Sequence, residues 1–80
     1  MQKSISSRSY AHFVSCLRHA REQAGLTQEM LARSLGETQT FISKCERGER
    51  RVDVVELRVF CQAMGITLEK FVRQFEKGLP

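Results

Sequence analysis

One stretch of this 80-residue chain, residues 38–48, has side chains of the right types and spacing for hydrogen-bonded recognition. At about 100° per residue, Gln39, Thr40, Ser43, Lys44 and Arg47 share one side of a helix, while Phe41, Ile42 and Cys45 share the other. The outward side carries an amide, hydroxyls and cations, and the nearby acid, Glu46, lies beside Ile42 at the edge of the apolar side. Such a face suits the edges of bases and the phosphates beside them.

Other chemistry is poorly supplied. A Ser or Cys nucleophile needs an orienting base held near it, and the histidines, His12 and His19, fall on the first helix among positions expected to be solvated. No enzyme is expected. His12, Cys16 and His19 do form a row at i, i+4 and i+7, a spacing that could hold a metal. Three ligands on one straight helix seldom converge without a second element, and the chain has no second ligand cluster, so the row reads as a solvated edge, with no metal and no cofactor.

The elements that must position the polar face follow from periodicity and punctuation. Residues 27–35 form a short helix with Leu31, Ala32 and Leu35 on one face, and Gly36-Glu37 leads into Thr38 as a new N-cap. Two helices joined by a tight glycine-containing turn make a helix-turn-helix. Before it, residues 9–24 place Tyr10, Phe13, Val14, Leu17, Ala20 and Ala24 on one stripe. Arg21 lies inside that stripe, where a guanidinium needs a carboxylate partner; Glu46, equally misplaced, is that partner, the alternative being that Arg21 snorkels to water.

After the motif, a fourth helix over 54–64 directs Val54, Leu57, Phe60, Cys61 and Met64 inward and leaves Val55 and Val59 nearly opposite, without an intramolecular role. Exposed β-branched residues at i and i+4 mark a dimer interface or simply two exposed valines. A fifth helix over 68–77 carries Leu68, Phe71, Val72 and Phe75, with Ile66 and Phe71 spaced as a staple across Thr67. All five glycines fall where a helical pattern stops, and Thr27, Thr38, Asp53 and Thr67 stand where one starts, Asp53 with Glu56 at capping-box spacing. The expectation is an all-α domain of five helices over 9–78, preceded by a flexible arm, 1–8. In that arm Lys3 and Arg8 could alternatively reach phosphates.

Bulk properties agree. A net charge of +4 and a pI near 9.3 favour a polyanionic partner, though 13 basic against 9 acidic residues is a moderate excess. With 41% hydrophobic residues there is one small core, of the kind that supplies about 3–5 kcal/mol and benefits from self-association. Three cysteines far apart, without a C-x-x-C, suit a reducing compartment. No apolar run has the length of a signal peptide or a membrane span, so a cytoplasmic protein without membrane contact is expected.

Residues 17–71 carry A-G-L-T-Q, then L-A, L-G, I-S-K-x-E-R-G and a closing G-I. In this the sequence resembles the Cro/repressor type of helix-turn-helix regulator, the family often called XRE. The resemblance implies a compact lambda-repressor-like domain whose third helix lies in the major groove of double-stranded DNA. It implies base-reading positions at Gln39, Thr40 and Lys44, beside which Ser43 shares the face. It also implies phosphate contacts at Gln28 and Arg47, to which Arg50 and Arg51 of the following loop add, and an internal Arg21–Glu46 ion pair. Phe41 is bulkier than the small residue common at its position, and Cys45 replaces a larger apolar one. The function implied is a dimeric regulator on a palindromic operator, of phage-repressor or restriction-modification controller type. The alternative is an antitoxin-type module whose partner is a toxin, for which no dedicated tail is visible beyond residues 77–80.

Overall fold

The computed structural model describes the backbone of residues 3–79 and the side chains of residues 8–79. The chain forms α1 (Lys3–Gln23), α2 (Gln28–Leu35), α3 (Gln39–Glu46), α4 (Val54–Met64) and α5 (Leu68–Lys77), with no strand among the described residues. Four of these helices start on a side-chain oxygen that accepts an otherwise orphaned amide: Thr27 from Met30, Thr38 from Phe41, Asp53 from Glu56 and Thr67 from Lys70. A cap of this kind is worth about 1 kcal/mol. Glu56 completes a capping box by accepting from the Asp53 amide. Gly36, at φ +68°, ends α2 in the left-handed conformation, and its amide bonds back to Ala32 and Arg33. A residue with a Cβ is strained there, so this glycine makes the sharp reversal into α3 possible.

The core sits where the five apolar stripes meet. Leu17, Leu31, Ile42, Cys45, Cys61 and Phe71 are each less than 2% exposed, and Ala20, Ala32, Leu57, Phe60 and Met64 complete the cluster. α3 packs against α1 and α2, α2 also against α4, and α5 closes against α1 and α4. The helix that carries the polar face is thus backed on its inner side and open on its outer one.

Several expectations are corrected. α1 begins at Lys3, not near Ser9, so helical backbone runs into the segment expected as an arm. No glycine or proline precedes Gly25 to end a helix, and extending a formed helix is far easier than starting one. Arg8 is exposed; the side chain of Lys3, and with it a contact to phosphate, lies outside the described residues. Ala24 is exposed, and Val54 is 64% exposed because the first turn of α4 overhangs the core. Val72 is also exposed, which narrows the buried stripe of α5 to Leu68, Phe71 and Phe75.

His12 is not on a solvated edge either. It is half-buried, its ring stacks on Phe75 at 5.3 Å, and its Nε2–H donates to the Phe75 carbonyl in the last turn of α5 at 2.9 Å. Cys16 Sγ lies 3.5 Å from the same nitrogen. Gly78 lies against this ring: its φ of −85° makes no demand for glycine, but a Cβ there would overlap the imidazole. The residue is required for close approach.

Candidate nucleic-acid interface

The polar face rests on a buried ion pair. Arg21 Nε donates to Glu46 Oε2 at 2.6 Å and Nη2 to Oε1 at 3.1 Å, a two-pronged contact, while Nη1 donates to the Leu26 carbonyl at 2.7 Å. The two side chains are 10% and 4% exposed. The hydrogen bond to Glu46 holds Arg21 above the usual arginine value, against the opposing pull of burial. A misplaced cation on α1 and a misplaced anion on α3 thus satisfy each other and fix the angle between their helices.

Gln28 extends this network. Its Nε2 donates to Glu46 Oε1 at 3.0 Å, and its Oε1 accepts from Gln39 Nε2 at 3.5 Å. Gln28, expected as a phosphate contact, is half-buried, and its amide is turned between the ion pair and the first residue of α3. Its chain Arg21–Glu46–Gln28–Gln39 orients a side chain of the outward face from the core.

On that face Gln39, Thr40, Lys44 and Arg47 are exposed and Ser43 is half-buried, a continuous row along α3. Phe41 packs instead of projecting outward, with its ring 6.3 Å from that of Phe60. Cys45 is fully buried, and burial pushes its thiol up, as it does those of Cys16 and Cys61, away from the thiolate a nucleophile requires.

The three arginines of the loop after α3 are placed differently from one another. Arg47 donates from Nε and Nη2 to Glu49 at 2.7 and 3.3 Å, and from Nη1 to Ser43 Oγ. Arg50, expected as a phosphate contact, donates from both its terminal nitrogens to the Glu56 carboxylate, at 2.6 and 2.7 Å, and its guanidinium covers the Phe41 ring at 5.0 Å. Arg50 and the Asp53 amide hold the Glu56 carboxyl down to about 2. Arg51 is exposed and stacks over Tyr10 at 4.3 Å, and the Tyr10 hydroxyl accepts from the Val52 amide at 3.0 Å. Glu49, Tyr10 and the outer role of Glu56 escaped sequence reasoning. Contacts across loop residues have no period, and the capping-box spacing at Glu56 was the single legible signal.

This arrangement has counterparts. Residues 12–71, most of the chain, match the family described as the helix-turn-helix domain. The chain belongs to this family, and to its XRE type. An XRE-family like protein from Pseudomonas syringae pv. tomato str. DC3000 superposes with a TM-score of 0.86 at 38% identity, over 98% of this chain and 95% of that one. The clp gene regulator ClgR from C. glutamicum shares the fold, with a TM-score of 0.78 at 22% identity, over 90% and 92% of the two chains. In sequence, this XRE-type chain is 33% identical over 57 residues to the control protein C.MunI of Mycoplasma sp, covering 71% of this chain and 77% of that protein. It is also 33% identical over 70 residues to an uncharacterized transcriptional regulator in the ATPase CF(0) region of Rhodospirillum rubrum. That match covers 88% of this chain and 65% of the relative's length.

Proposed function

We propose that this helix-turn-helix chain is a sequence-specific transcriptional regulator that binds a palindromic operator as a homodimer, in the manner of a phage-type repressor or a restriction-modification controller. The observation that carries this reading is the outward row of exposed Gln39, Thr40 and Lys44 with half-buried Ser43, on a helix fixed from behind by the Arg21–Glu46 pair. A reader of base edges needs donors and acceptors held in register, because a floppy side chain discriminates poorly. In this reading Gln39 pairs with adenine, Lys44 donates to guanine, and Thr40 and Ser43 make the shorter contacts between them. Arg47 and Arg51 hold phosphates, with the N-terminus of α2 at Gln28 presenting backbone amides beside them. Arg50 serves as a strut of the loop, and no catalytic step is involved. Three free thiols suit a reducing cytoplasm, and no helix among the described residues is long and apolar enough to cross a membrane.

Binding isotherms on the DNA upstream of the chain's own gene and on a scrambled duplex, at several salt concentrations, test this. Gln39→Ala or Lys44→Ala is expected to cost about 1–3 kcal/mol on the specific duplex and little on the scrambled one. Arg47→Ala is expected to weaken both and to lower the salt slope by about one. Equal weakening of both duplexes by Gln39→Ala, with sequence preference intact, would remove α3 as the reader.

A further inference from the structure

Arg47 and Arg50 are each clasped by a carboxylate, but the two acids differ in what else they do. Glu56 also closes the capping box of α4, so it is part of the scaffold. The Glu49 side chain caps nothing: among the described residues its carboxylate accepts from Arg47 alone, and it is 54% exposed. Its two oxygens meet Nε and Nη2 in the two-pronged arrangement with which a guanidinium also grips a phosphate. The remaining arm of Arg47 is turned back along the outward face of α3 onto Ser43 Oγ. A side chain that projects from this face is thereby folded down over it.

We infer that Glu49 is a built-in competitor of the DNA backbone, whose carboxylate occupies on Arg47 the place of a phosphate and so sets the affinity of the α3 face. The inference rests on the DNA-binding reading above and adds a determinant that it lacks. On binding, Arg47 exchanges Glu49 for a phosphate and frees the Ser43 hydroxyl, and the released carboxylate is left close to the polyanion. Until that exchange, one cation of the interface is neutralised internally. A strongly basic face binds any DNA, so a competitor of this kind weakens backbone attraction without altering the row that reads bases.

The test is a double-mutant cycle of Glu49→Gln, Arg47→Ala and their combination, on the same two duplexes over a series of salt concentrations. Glu49→Gln is expected to tighten both duplexes about two- to five-fold, the scale of an exposed ion pair, with the salt slope nearly unchanged because Arg47 meets a phosphate in both complexes. In the Arg47→Ala background the same change is expected to give a clearly smaller gain, that of removing one negative charge beside the DNA. Unchanged affinity of Glu49→Gln overturns the inference, and so does an equal gain in both backgrounds, which would reflect net charge alone. If the unsubstituted chain binds with a salt-dependent isotherm, such a failure leaves the DNA-binding reading standing; if it binds neither duplex, both fall.

Discussion

Arg21 and Glu46 show how one pair of side chains serves stability and function together. Each would be costly to bury alone, and each sits on an otherwise apolar surface, so neither has a low-energy place in the fold without the other. Their hydrogen bonds continue through Gln28 to Gln39, so the pair also orients the first side chain of the reading row. Glu46→Ala leaves the guanidinium with only the Leu26 carbonyl and is expected to destabilise by about 3–5 kcal/mol. For a domain of this size that corresponds to a fall in melting temperature of well over 10 °C, by the usual scale of about 4–8 °C per kcal/mol. Replacing both partners with Met is expected to recover most of the loss, because two apolar groups leave no stranded charge. Calorimetry of the single and double variants checks this. Near-identical melting curves for Glu46→Ala and the unsubstituted chain would mean that the pair is a surface contact worth little.

At the scale of elements, α4 is fastened by Glu56, which accepts from both the Asp53 amide and Arg50 and is held down to about 2 from an ordinary 4.5. A carboxyl depressed in the folded state stabilises at pH above its unfolded value, and the contribution disappears as acid protonates it. Stability is therefore expected to fall between pH 4.5 and about 2, and Glu56→Gln to flatten that limb of the melting-temperature profile. With 31% of the Glu56 side chain and 41% of that of Arg50 exposed, solvent screening limits the effect to about 1 kcal/mol or less. Parallel profiles for variant and parent would contradict this. The elements themselves were largely legible in the sequence, because glycine stops, Thr and Asp caps and a 3.6-residue apolar period are local properties of the chain. Even the Arg21–Glu46 pair was legible, as two charges each on the wrong face. The start of α1 was not: its serines carry no stop signal. Nor were the destinations of Gln28, Arg50 and His12 legible, since each is decided by an acceptor on another element: Glu46, Glu56 and the Phe75 carbonyl.

At the scale of the whole molecule, α4 presents an apolar surface that the packing of the described residues does not explain. Val55 and Val59, one turn apart on α4, are 69% and 44% exposed, and Val54 beside them is 64% exposed. Val55 and Val59 border a cleft of about 170 Å³ lined also by Leu35, Phe41 and Phe60, with Glu37 and Glu56. A cleft of that size accepts an apolar side chain, and β-branched residues lose little rotamer freedom when covered. A two-fold pair of chains would bury this patch against its own copy, as the isologous geometry requires. Such a pair would recognise a palindrome by its own symmetry, with one α3 at each half-site. Val55→Asp with Val59→Asp places two carboxylates on each side of that contact, without touching the buried Leu57, Phe60 and Cys61 on the inner face. The expected outcome is a chain that melts as a folded monomer and sediments as one. It should keep its affinity for an isolated half-site and lose the extra affinity that a full palindrome gives a dimer. An unchanged dimer in sedimentation would move the interface away from α4, to the exposed side of α5 around Val72.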